Sequence, residues 1–183
     1  MRALIGGVGY PDLSDHSVSW VVVDRLQGDA LPAGVVVEDA SYNPVAFAQR
    51  LDDVGALGRF DTVVLVSGVE RGREPGTVTT YRWDLALPDN EEIHRSITDA
   101  VTGIIHLDNT LVVTRHLGAL PARVAVIEIQ PLVEGFAVPM SDVVRAAIDR
   151  ICADAVRYAS DPFAFDALPM APLGGPTVPA IHG

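Results

Sequence analysis

The run Thr62-Val63-Val64-Leu65-Val66 constrains this chain more than any other feature. It is apolar and β-branched without alternation, so a strand made of it has no polar face to offer water and must be covered on both sides. Sheets covered in that way are built from βαβ units, in which parallel strands alternate with helices. The remaining sequence supplies the alternation. Further strands are predicted at 2–7, 35–39, 77–83 and 123–129. Amphipathic stretches predict helices over 17–27, 44–53, 88 to about 104, 109–117 and 141–158. Ser14 or Asp15 is available to cap the first of these, and Gly118 with Pro121 ends the fourth. The expected architecture is an α/β three-layer sandwich, with a mostly parallel sheet of about five strands and helices on both faces.

The 183 residues fit one domain, assigned to 1–160. From Asp161 the chain turns rich in proline and glycine, so 161–183 is expected to be a tail without regular structure. Trp20 is expected on the inner face of the first helix and Cys152 on the buried face of the last. A single cysteine excludes an internal disulfide and is compatible with a reducing cytoplasm. No apolar run approaches the ~20 residues that span a bilayer, so no membrane role is expected. The formal net charge of −11 repels phosphate backbones, so no nucleic acid is expected as partner. All thirteen basic residues are arginine, which excludes a lysine Schiff base or a lysine-dependent phosphate loop.

In open parallel sheets ligands sit beyond the carboxyl ends of the strands. That directs attention to the loops after strands one, two and three. Gly6, Gly7 and Gly9 follow the first strand, but the third glycine of a dinucleotide loop is missing and Glu38 or Asp39 alone is a poor ribose partner. A tight turn into a helix is the expected role of these glycines. Metal-capable residues are spread more tellingly: Asp15 and His16 after strand one, Asp39 ending strand two, Glu70 past strand three, and His94 and His106 near the following helices. Imidazole and carboxylate suit zinc, nickel or iron. No short ligand motif is present, so any metal site must be assembled from distant segments. Arg71 and Arg73 could take an anionic group, but are expected to be solvated and balanced by Glu70 and Glu74. Glu128, inside a buried-looking strand, is expected to pair with a neighbouring arginine. Tyr81 and Trp83 are expected to pack beneath the loop. Ser67-Gly68 is not a Gly-x-Ser-x-Gly elbow, which weakens a serine-hydrolase reading.

Several ordered pieces together resemble the hydrogenase maturation endopeptidases, over residues 2 to 158. Leu4-Ile5-Gly6-Gly7-Val8-Gly9-Tyr10 stands where that family has a strand leading to Gly-x-Gly-Asn. Leu13-Ser14-Asp15-His16-Ser17-Val18 resembles its first acidic segment and helix, and Val37-Glu38-Asp39-Ala40-Ser41 sits where it shows Asp-Gly-Gly. Phe60 to Val69, followed by Glu74-Pro75-Gly76-Thr77, looks like its third strand and downstream Pro-Gly-Thr. Leu117-Gly118-Ala119-Leu120-Pro121 to Pro131 resembles its helix end and final strand.

The resemblance implies a cytoplasmic protein that clips a C-terminal extension from the large subunit of a nickel–iron hydrogenase, the nickel arriving in the substrate precursor. It implies metal-sensing and catalytic positions at an acid of the first loop, an aspartate ending the third strand and a histidine opening a later helix. Carried onto this sequence, the first is His16 and the second Ser67. The third is His106 by spacing, or His94 with a longer insertion. His16 and His106 with Asp39 would form a two-histidine, one-carboxylate set, and Glu70 is a second replacement for the lost aspartate. Tyr10 stands for the family asparagine, and Ala40-Ser41 for its glycines. Losing a carboxylate at Ser67 leaves a second reading, an inactive homologue that binds or assembles a metalloenzyme subunit. A small-molecule hydrolase or phosphorylase on a related sheet is the third.

Overall fold

In the computed structural model, which describes residues 1–53 and 58–176, six strands form one sheet. The strands are β1 (Ala3–Gly7), β2 (Val35–Asp39), β3 (Thr62–Gly68), β4 (Val78–Trp83), β5 (Arg123–Ile129) and β6 (Met170–Ala171). Their order is β2-β1-β3-β5-β4-β6. β2, β1, β3 and β5 run parallel, β4 is antiparallel to β5, and β6 is parallel to β4. The α-helices are α1 (Val18–Gln27), α2 (Pro44–Asp52), α3 (Asn90–Thr102), α4 (Leu107–His116), α5 (Asp142–Arg145), α6 (Ile148–Ser160) and α7 (Pro162–Asp166).

The two-residue period of a strand divides β3 between two cores. Val64 and Val66 pack with α1, α6 and α7 residues such as Val22, Ile151 and Phe165. Val63 and Leu65 pack on the other face with Phe47 of α2 and Leu111 of α4. The sheet is thus covered on both faces, which is what an unalternating apolar strand requires.

Three expectations about the elements are corrected. The long helix over 141–158 divides into α5 and α6, because the Ala147 N–H turns to the Val144 carbonyl at 3.0 Å, a tightened turn between the two. Trp20 is 43 % exposed: the inner positions of α1 are Ser19, Val22, Val23 and Leu26, and Trp20 lies off that stripe. Neither Ser14 nor Asp15 caps α1, which instead follows a 3-10 turn over Ser14–Ser17 with no side-chain cap.

The tail expectation is corrected as well. Residues 162–176 belong to the domain, through α7 and β6. Phe165, Leu168 and Ala171 are buried, and the Arg123 guanidinium stands 4.1 Å over the Phe165 ring. The Arg82 N–H donates to Pro169 O at 2.8 Å and the Asp84 N–H to Ala171 O at 3.0 Å. The prolines sit where they are tolerated, Pro162 at the start of α7 and Pro169 and Pro172 flanking an edge strand. Residues 177–183 of the expected tail lie outside the described residues. No helix among the described residues is long and apolar enough to cross a membrane.

Candidate functional site

The carboxyl ends of β1 and β3 and the start of α4 enclose a cavity of about 360 Å³. His16, Ser67, Glu70 and His106 all line it, with Tyr10, Arg71, Asp108 and Glu134. A neighbouring cavity of about 230 Å³ shares His16, Glu70 and Glu134 and is closed by Pro131, Leu132 and Val133. His16 therefore stands between two adjoining spaces.

Three glycines make this approach possible. A Cβ on Gly7 would stand 2.8 Å from the Ser19 carbonyl oxygen, and one on Gly9 2.6 Å from that of His16. On Gly68 it would stand 2.9 Å from Asp15 O and 3.2 Å from His16 Cα. The glycines after β1 thus seat the first loop and α1 against the sheet, the tight-turn role expected of them, and Gly68 lets β3 meet the same loop.

The two histidines are held by different nitrogens, and this decides what each offers. His16 Nδ1 is 3.2 Å from Gly68 O. A carbonyl only accepts, so Nδ1 carries the proton and the neutral ring leaves the Nε2 lone pair free. His106 is the N-cap of α4: the Asn109 N–H donates to His106 Nδ1 at 3.2 Å, and the His106 N–H to Asn109 Oδ1 at 3.0 Å. With Nδ1 accepting, the neutral His106 ring carries its proton on Nε2 and presents a donor. One pocket therefore contains an imidazole lone pair and an imidazole N–H.

Buried ties position the walls. Asp15 is fully buried and accepts from Leu132 N (2.8 Å), Val133 N (2.9 Å), Ser141 N (2.7 Å) and Ser141 Oγ (2.8 Å). Burial raises its pKa, but the backbone donors at Leu132, Ser141 and Val133 and the Ser141 hydroxyl outweigh it and hold the carboxyl below the ordinary range. This anchor carries 131–134 to the site, and Glu134 with it. The Tyr10 hydroxyl accepts from the Ile105 N–H at 2.9 Å, fastening the first loop to the turn before α4.

Behind Arg71 of the pocket wall, Glu128 is fully buried and accepts from Tyr81 Oη (2.9 Å), Arg71 Nη2 (2.8 Å) and Arg73 Nη1 (2.8 Å). Burial raises the Tyr81 pKa, and the Glu128 charge adds to the rise. Arg71 also forks onto both oxygens of Asp108 in the first turn of α4, at 2.6 and 2.9 Å. The expected pairing of Glu128 with an arginine is present. The expectation that Arg71 and Arg73 are solvated beside Glu70 and Glu74 is corrected: their partners are Glu128 and Asp108, and Gln130 Oε1 accepts from both of their backbone N–H groups. With these charges satisfied, Arg71 and Arg73 are not a free anion site.

The proposed metal set does not assemble. Asp39 does not line the pocket; its Oδ1 accepts from the Ser41 N–H at 2.8 Å in a local turn. The Ser67 hydroxyl is buried and donates to Val8 O at 2.7 Å, fixing β3 to the first loop. His94 is exposed on α3, outside the pocket. Among the described residues no group of three or more His, Cys, Asp or Glu side chains is placed to hold a metal ion. The donors therefore do not fit a resident metal. Of the lining residues, Glu134 and Asp108 carried no signal in the sequence, and Tyr10 stood out only by its place in the first loop. Their place depends on contacts across 95 or more residues for Tyr10 and Asp15, which no local pattern signals.

No protein-family model matches this sequence, and no curated protein matches it. The fold, by contrast, is that of the hydrogenase maturation endopeptidases. HybD from E. coli, a hydrogenase maturating endopeptidase, is 20% identical with a TM-score of 0.61, covering 84% of this chain and 88% of its own. The hydrogenase 2 maturation peptidase of Thaumarchaeota archaeon SCGC_AB-539-E09 is 24% identical with a TM-score of 0.58, covering 84% and 94%. The endopeptidase HycI from Escherichia coli is 15% identical with a TM-score of 0.63, covering 93% and 96%.

Proposed function

We propose that this chain is a hydrogenase maturation protease-like protein that removes a C-terminal extension from a metallohydrogenase large-subunit precursor by peptide hydrolysis. One observation carries the reading: His16 and His106 line a single pocket, one offering a lone pair and the other an N–H. Hydrolysis of an amide needs both. A lone pair at Nε2 of His16 can take the proton of an attacking water, and the Nε2–H of His106 can stabilise the oxygen on which charge develops.

Nickel enters as cargo of the substrate. The pocket is lined by three carboxylates (Glu70, Asp108 and Glu134) against one guanidinium, that of Arg71, a field that favours a cationic group. Glu70 and the His16 lone pair are the donors it offers a metal that the substrate presents. The single buried cysteine suits a cytoplasmic reaction.

The test is incubation of purified protein with nickel-loaded precursor, with the trimming rate compared for the wild type and His16→Ala. The substitution is expected to lower the rate about 100-fold. Equal rates, or no trimming by the wild type, contradict the reading.

A further inference from the structure

A second groove, with a cavity of about 850 Å³, lies between α1 and residues 137–139 beside the candidate pocket. Its apolar surface is supplied by Trp20 and Val21 of α1, with Val138 and Pro139 opposite. Trp20, Val21 and Val138 are 43, 39 and 44 % exposed, a contiguous apolar face on a strongly acidic chain. The charged residues lining it are Asp12 and Asp24, both exposed. Neither forms an ion pair among the described residues. Asp24 follows Trp20 by four residues, so the carboxylate and the indole share one face of α1.

The groove has a fixed shape. Leu13 and Phe136 form an antiparallel bridge, and the Ala137 N–H donates to Asp12 O at 2.8 Å. The Ser14 hydroxyl reaches Gly135 O and Val138 O at 3.1 and 3.2 Å. Asp12, Ser14 and Ala137 hold left-handed backbone at φ 61°, 44° and 56°, a conformation that costs non-glycine residues about 1 kcal/mol or more. The groove adjoins the pocket across the 11–14 loop: Leu13 faces the pocket, and Pro11, Asp12 and Ser14 face the groove.

We propose that this groove receives an arginine or lysine side chain, flanked by apolar residues, from the partner polypeptide whose scissile segment enters the pocket. The assignment of the partner as substrate rests on the hydrolytic reading above. Charge complementarity selects the occupant: an aromatic face with two unpaired carboxylates at its rim binds a cation, and the net charge of −11 attracts a basic segment and repels an acidic one. A polypeptide leaving the pocket has only to cross the 11–14 loop to place such a side chain.

The experiment titrates the full chain with N-acetyl-Leu-Arg-Leu-amide and with its citrulline counterpart, which keeps the shape and loses the charge. Binding is followed by calorimetry and by the chemical shift of the Trp20 indole N–H. The arginine peptide is expected to saturate, with a shift at Trp20, and to bind about fivefold tighter than the citrulline peptide. Asp24→Asn and Asp12→Asn, both surface changes, are each expected to weaken the arginine peptide about threefold. Equal affinity for the two peptides, indifference to both substitutions, or no saturable binding at millimolar concentration overturns the proposal. So does a concentration-dependent dimer that Trp20→Ala disperses, which would give the face to a second copy. Peptide binding needs no catalysis. Expected peptide binding beside an untrimmed precursor defeats the hydrolytic reading alone, and a trimmed precursor beside indifferent peptide binding defeats the groove alone.

Discussion

Two imidazoles in one pocket become chemically distinct through the atoms that hold them. The Gly68 carbonyl draws a proton to Nδ1 of His16, and the Asn109 N–H draws a lone pair from Nδ1 of His106. The second tie makes His106 a structural residue as well as a pocket residue, so its two roles need separate variants. His106→Ala removes both the N-cap acceptor and the imidazole; it is expected to destabilise the protein by about 1 kcal/mol and to abolish trimming. His106→Asn keeps a good N-cap acceptor while removing the Nε2 donor. It is expected to melt within about 3 °C of the wild type while lowering the trimming rate about 100-fold. Thermal melts beside the trimming assay check both; an active His106→Asn variant would show that His106 serves the helix alone. Local patterns placed His16 in the loop after the first strand, while His106 was singled out only by the spacing of the family resemblance, which left His94 as its alternative. The sequence could not supply their tautomers, nor the partner of Glu128, which is set by arginines 55 and 57 residues away.

Among the elements, the irregular segment between β5 and α5 is ordered by one carboxylate rather than by its own pattern. Asp15 ties Leu132, Val133 and Ser141 to the first loop. Its folded pKa is depressed, so the stabilisation it contributes is complete above the unfolded value near 4 and is lost as pH falls through the lower folded value. Asp15→Asn, which sets an amide N–H₂ or a neutral oxygen against buried donors, is expected to cost about 3 kcal/mol at neutral pH. It should also flatten the loss of stability below about pH 4. Denaturant titrations of both proteins between neutral and acid pH check this; a constant difference across that range would contradict it. The periodic elements were legible because burial repeats along them: the bounds of β2 and β5 are as expected, and those of β1, β4, α1 and α2 lie within one residue. α4 begins two residues earlier than expected, because the capping residue is a histidine rather than one of the usual Ser, Thr, Asp or Asn signals.

At the scale of the molecule, the sheet does not end where apolar periodicity ends. The final described segment closes the outer edge of β4, buries Ala171 and packs Leu173 against the core that holds Phe47 and Leu111, while Arg73 bonds Gly174 O. Composition rich in proline and glycine hid this, since both residues are as much at home in edge strands and tight turns as in loose tails. Deleting residues 169–183 is expected to lower stability by about 2 kcal/mol and Tm by roughly 4–8 °C. Calorimetry of the shortened chain checks it; an unchanged Tm would make the segment a mere tail.

The fold is shared with hydrogenase maturation endopeptidases, and at the end of its third strand Ser67 is tethered to Val8 O within the pocket. The proposed hydrolysis rests on the two histidines of that edge, His16 and His106, with Glu70 and Glu134 beside them. The intact mass of a nickel-loaded large-subunit precursor after incubation with this protein tests the claim most directly. The expected result is a single loss equal to a C-terminal peptide, absent with His16→Ala. A precursor that binds the protein and keeps its full mass would contradict it.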